Sequence, residues 1–190
     1  MILKIKIRNS IYNLLNISRF ILILSLILFS CHKSKEPESN KKHINDKNSL
    51  VKINKFLVQK DAEAIENYIE RRKWKMKTTE SGLYYIIYKN GNGKKATHGS
   101  LATVLFELSL LDGTICYKAD SLNPKTFEIG KGGVESGLEH GILLLREGDK
   151  AKFILPPHLA HGLIGDENKI PPRSTIVYDI ELIKIKEKYE

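Results

Sequence analysis

Cysteine is scarce: Cys31 and Cys116 are the only two in 190 residues. That excludes a framework of disulfides. A catalytic thiol needs a neighbouring base and positioning groups. The residues around Cys116 offer neither, so Cys116 reads as a small buried filler. Long apolar runs are missing too. The one strong run, Phe20 to Phe29, is shorter than the roughly 20 residues that span a bilayer. No glycine loop carries a phosphate-binding lysine, and Asn90-Gly91-Asn92-Gly93 reads as a turn. A concentrated basic face is also absent. The formal net charge is +9, but Lys4, Lys6, Arg8 and Arg19 fall in residues 1–30, which hold no acid, and the later lysines are interleaved with Glu. Such a surface reads as solvated, with no nucleic-acid partner, while attraction to anionic lipid headgroups stays open. The isolated His32 and His43 form no ligand set, and neither metal nor cofactor is expected.

What is present is alternation. Ala151, Phe153 and Leu155 alternate with Lys152 and Ile154, and Ile176, Tyr178, Ile180 and Leu182 alternate with Val177, Asp179 and Glu181. A period of two marks strands with one face in a core. Pro156-Pro157 and Pro171-Pro172 cannot donate to a sheet, so they end strands or turn the chain. Gly162 and Gly165 bracket a loop between those corners that needs glycine's backbone freedom. Leu83–Tyr88 and Leu101–Leu111 read as further strands, with an Asp112-Gly113 turn after the second. Phe127 to Gly130 looks like a strand end, and Val134 to Leu145 supplies the domain's helix. Many antiparallel strands with one short helix make an α+β domain.

Residues 1–30 read as a secretory signal, with basic residues ahead of an apolar run. Leu28-Phe29-Ser30-Cys31 resembles the bacterial lipobox, whose cysteine is diacylated and becomes the mature N-terminus, although Phe29 is bulkier than the motif usually carries. Lipid on Cys31 would hold the protein at a membrane. The other readings are an uncleaved anchor or ordinary secretion. Residues 31–50 are almost wholly polar and read as a flexible tether. Residues 51–78 form a helical extension in which Leu57, Val58, Ala64, Ile65, Tyr68 and Ile69 make an apolar stripe. Asn54 suits its N-cap and Arg71-Arg72-Lys73 its C-terminal end. The stripe is too short for a coiled coil, so the helix is expected to dock on the domain at 79–190.

The run from Gly148 to Leu182 resembles the FKBP-type peptidyl-prolyl cis-trans isomerase family. The family's I-P-P-x-L-A-Y-G stands here as Leu155-Pro156-Pro157-His158-Leu159-Ala160-His161-Gly162, and its second I-P-P as Ile170-Pro171-Pro172. The spacing between the two corners fits without insertion or deletion. The resemblance covers residues 79–187 and implies a curled antiparallel sheet around one short helix, with a pocket for the substrate proline between them. On matching positions it assigns to that pocket Phe106, Phe127, Val134, Ile170 and Tyr178. It also marks departures. The family's Phe-Asp pair is Cys116-Tyr117, its pocket-floor tryptophan is Leu138 and the isoleucine after the valine is Glu135. The tyrosine of L-A-Y-G is His161.

The resemblance implies an isomerase of proline-containing polypeptides that assists folding of exported or envelope proteins. His161 would donate a hydrogen bond to a substrate carbonyl, as the family tyrosine does. Substitutions at Cys116, Tyr117 and Leu138 favour an alternative, a proline-binding chaperone or interaction module with weakened catalysis. A structural envelope protein is a third reading. Lipobox, tether and leading helix ahead of a degenerate domain also resemble the FKBP-type lipoproteins associated with bacterial gliding motility. That layout implies a lipid-anchored envelope protein on the outer membrane facing the periplasm.

Overall fold

The structure, a computed structural model, describes residues 47–187. The expected signal segment, Cys31 and the tether as far as residue 46 lie outside the described residues. Chain order is helix α1 (Lys47–Arg72), strands β1 (Lys77–Thr78), β2 (Tyr84–Lys89), β3 (Leu101–Leu110), β4 (Ile115–Ala119) and β5 (Lys125–Glu128), helix α2 (Ser136–Ile142), strand β6 (Lys150–Leu155), a 3₁₀ turn (Pro157–Leu159) and strand β7 (Ile176–Lys186). The strands form one antiparallel sheet in the order β1-β2-β6-β7-β3-β4, with β5 also on β3. The α+β class and the curled sheet over a helix are as the sequence implies.

Register decides which side chains meet. Tyr85, Phe153, Tyr178, Leu108 and Tyr117 are cross-strand partners in one row over β2, β6, β7, β3 and β4. Ala151, Ile180, Phe106 and Ala119 make the row beside it. Partners in register share a face and pack on one another, so the inner face carries a continuous apolar surface. Phe153 and Ile180 lie inside it, as the alternation requires. Helix α2 covers this face at very short range. A Cβ on Gly137 would come within 2.6 Å of Leu155, and one on Gly141 within 2.6 Å of Phe153. The helix is shorter than Val134–Leu145, because its last turn is completed by Leu144 and Leu145 donating to Gly141 and Ile142.

The outer face is covered too. Ile154 and Val177 are buried there against Ile65 and Tyr68 of α1, with Ile69 and Trp74 beside them. The expected docking is therefore real, but the packing face is narrower than the apolar stripe. Val58 and Ala64 are exposed, and Asn54 lies inside a helix that begins at Lys47, so it caps nothing. The helix ends with Lys73 at φ 55°, its amide on the Glu70 carbonyl and that of Trp74 on Ile69. This is the paired C-terminal closure that stops a helix and turns the chain. A second tie is the Arg173 guanidinium, which grips both carboxylate oxygens of Asp61 at 3.0 and 2.7 Å.

Candidate active site

Three segments bring the site together. Strands β3, β4 and β7 carry Phe106, Tyr117 and Tyr178 on the inner face. The segment entering α2 carries Val134 and Glu135, with Leu138 one turn in. The loop after the 3₁₀ turn carries His161 and Asp166. Between them lies a cleft of about 640 Å³ lined by these residues. Phe106 and Tyr178 meet edge to face, with ring centroids 5.2 Å apart at 70°, the geometry aromatic quadrupoles prefer.

The loop is held by its own backbone. Beyond Pro156, the Gly162 amide donates to Pro157 at 2.8 Å, and the Arg173 amide returns to Gly162 at 3.0 Å. Gly165 has φ 74°, and a Cβ there would sit 2.2 Å from the Ile170 carbonyl oxygen. Asp166 organises the remainder, accepting the amides of Ile170 at 2.7 Å and Asn168 at 3.0 Å through Oδ1. Its Oδ2 accepts the Tyr117 hydroxyl, which joins the loop to β4. Burial pushes the Asp166 carboxyl up, but the Tyr117 hydroxyl, the two amides and the His161 charge outweigh it and hold it at about 2. The Tyr117 hydroxyl is raised, first by that hydrogen bond and then by burial.

Glu135 is the polar centre of the opposite wall. Its Oε1 is 2.8 Å from His161 Nε2, and its Oε2 accepts the Tyr178 hydroxyl at 3.0 Å. Burial raises the Tyr178 phenol far above its ordinary range, and the charge and hydrogen bond of Glu135 add to this.

The sequence pattern of the FKBP-type peptidyl-prolyl cis-trans isomerase family matches residues 92–183. A probable FKBP-type peptidyl-prolyl cis-trans isomerase FkpA of Neisseria meningitidis is 41% identical over 112 residues, covering 58% of this chain and 40% of the relative. The peptidyl-prolyl cis-trans isomerase Fkbp12 of Drosophila melanogaster is 39% identical over 89 residues, which cover 46% of this chain and 82% of that protein. This chain belongs to the FKBP-type peptidyl-prolyl cis-trans isomerase family. The crystal structure of FkpA from Escherichia coli superposes with a TM-score of 0.60 at 30% identity, covering 73% of this chain and 64% of that one. The chain thus spans less than half the length of the Neisseria FkpA it matches.

On this FKBP fold the residues singled out from sequence divide in two. Phe106, Tyr117, Val134, Glu135, Leu138, His161 and Tyr178 line the cleft. Phe127 and Ile170 are buried in the core and do not line it. Cys116 is buried as a filler, its Sγ 3.5 Å from the Lys169 carbonyl, and burial raises its thiol. Asp166 was missed. Its signal is Asp-x-Asn directly after Gly165, since Asp accepts from the amides of residues that follow it. The Glu135 carboxylate, by contrast, replaces the isoleucine by which the FKBP family would make this wall apolar.

Proposed function

We propose that this chain is a peptidyl-prolyl cis-trans isomerase of exported polypeptides, held at the cell envelope by lipid on Cys31. The observation that carries the isomerase reading is the aromatic-walled cleft of Phe106, Tyr178, Val134 and Leu138 at family positions. Rotation about an X–Pro bond crosses a barrier of about 18–20 kcal/mol and breaks no bond. Neither nucleophile nor redox group is needed. An apolar wall disfavours the planar, charge-separated amide relative to the twisted one, and shape holds the twisted form. Phe127 and Ile170 would act from beneath by fixing the wall. The finer setting rests on sequence layout: a signal over 1–30, a tether from Cys31, the α1 extension to 78 and the isomerase domain over 79–190. That layout favours an outer-membrane lipoprotein facing the periplasm, of the kind associated with gliding motility.

A second reading keeps the cleft and loses the rate. Leu138 replaces the flat indole floor, and Tyr117 replaces a carboxylate and donates to Asp166 instead. If the missing groups act mainly on the twisted state, turnover falls more than binding. The test is a prolyl-isomerase assay on the full chain in detergent, with calorimetric binding of a prolyl peptide alongside. Weak but measurable isomerisation with clear binding is expected, and Leu138→Trp with Tyr117→Asp should raise the rate. Binding without any catalysis would move the assignment to a proline-binding chaperone. Absence of both would end the proline-site reading.

A further inference from the structure

We propose that Glu135 is a positioning residue that makes His161 a proton-dependent hydrogen-bond donor in the prolyl cleft. The inference rests on the prolyl-site reading above and deepens it. The Glu135 carboxylate accepts from both neighbours, His161 Nε2 at 2.8 Å and the Tyr178 hydroxyl at 3.0 Å. A carboxylate has no proton to donate, so the hydrogen in the first bond belongs to Nε2. That assigns the ring's tautomer. Among the described residues Nδ1 has no hydrogen-bond partner. No buried side-chain nitrogen or oxygen among the described residues is left without a partner, so Nδ1 is accessible on a ring that lines the cleft.

The consequence follows from the chemistry of imidazole. With Nε2–H committed to Glu135, a neutral ring presents only a lone pair at Nδ1. A substrate carbonyl then meets lone pair against lone pair. The imidazolium presents an N–H instead and can donate to that carbonyl with charge assistance. The donor therefore exists only while the ring carries its second proton. A tyrosine at the same position needs no second proton to donate.

The surroundings leave this transition to His161. Glu135 faces the ring from ahead of α2, Tyr178 from β7, and Asp166 from the ring's own loop. Tyr117 of β4 is committed to Asp166, with Lys169 5.2 Å above its ring, and Lys118 and Lys125 also line the cleft. Asp166 is held at about 2 and the Tyr178 phenol far above its ordinary range, so neither titrates near neutrality. The two walls also keep the ring from turning away, since Glu135 is anchored on its other oxygen by a buried tyrosine.

The experiment is calorimetric titration of the full chain in detergent with an uncharged, end-blocked prolyl peptide from pH 5.0 to 8.5. Wild-type affinity should fall roughly ten-fold as pH rises, the worth of one charge-assisted hydrogen bond. His161→Tyr should bind with an affinity that no longer varies with pH. Glu135→Gln should still bind at acid pH but lose much of the fall, because an amide can donate to Nε2 and let the neutral ring carry its hydrogen on Nδ1. Far-ultraviolet circular dichroism and thermal unfolding confirm that each variant is folded. A wild-type affinity flat across the range, or a His161→Tyr profile that still falls, overturns the inference while leaving the prolyl site intact. A fall in Glu135→Gln as large as that of wild type removes the positioning role. Failure of wild type and His161→Tyr to bind at any pH overturns the prolyl-site reading and this inference with it.

Discussion

Phe153 illustrates how much one residue carries. It lies at 0% exposure on β6, pairs in register with Tyr178, and sits where Gly141 of α2 leaves space for its ring. Truncating a ring so enclosed leaves a cavity that a glycine-tight helix contact cannot close, so Phe153→Ala should cost about 3–5 kcal/mol. A thermal melt reads this directly, and an unchanged midpoint would refute the packing. Asp166 makes a different prediction. Its folded carboxyl, at about 2, lies below the ordinary 3.8, so the stability it contributes is complete above pH 3.8 and is lost as pH falls toward 2. Tyr117→Phe removes one of the donors behind that shift. The melting point of the variant should lie below wild type at neutral pH, and the gap should shrink as pH falls to 2. A gap that stays constant would show that the Tyr117 hydroxyl acts by packing alone. How such residues were found differs. Phe153 is visible in the alternation, whereas the Tyr117–Asp166 bond joins residues 49 apart and leaves no local trace.

Among the elements, α1 departs furthest from its sequence pattern. Its stripe includes Leu57, Val58 and Ala64, yet the buried contact is made by Ile65 and Tyr68 against Ile154 and Val177. The helix is placed by what the sheet leaves uncovered. Ile154 and Val177 on β6 and β7 offer buried apolar side chains on that face, and the Asp61–Arg173 pair ties the helix there. Ile65→Ala should therefore destabilise the domain by about 2–5 kcal/mol. Val58→Ala, at 55% exposure, should fall within about 0.5 kcal/mol of wild type. Equal losses in chemical denaturation would mean that the helix docks along its whole stripe. The same pair ties α1 to the loop holding Gly162, through the Arg173 amide, so the helix braces the site from behind.

For the whole molecule, attachment at the envelope is the property to test. The described residues contain no helix long and apolar enough to cross a membrane. The proposed lipid anchor lies outside them, at Cys31. Cys31→Ser should move the protein from the membrane pellet to the soluble fraction, because acyl chains supply nearly all the affinity of a lipid anchor. A variant that still sediments with membranes would remove the lipoprotein proposal and leave the FKBP domain as it is.

Sequence alone determined the class of fold, the paired proline corners and the glycine-dependent loop. All of these are local: alternation marks a strand's inner face, proline ends a ladder, and glycine permits φ near 70° at Gly165. Tertiary structure decided the polar half of the site. Glu135 reads in sequence as a departure from an isoleucine, with no hint of what it meets. Its partners lie 26 and 43 residues away, and only the closure of the loop against β7 brings one carboxylate to both. The reach of α1 was settled the same way. Hydrophobic periodicity reports which side chains favour burial, but burial needs a second surface, and that surface exists only once the sheet has formed.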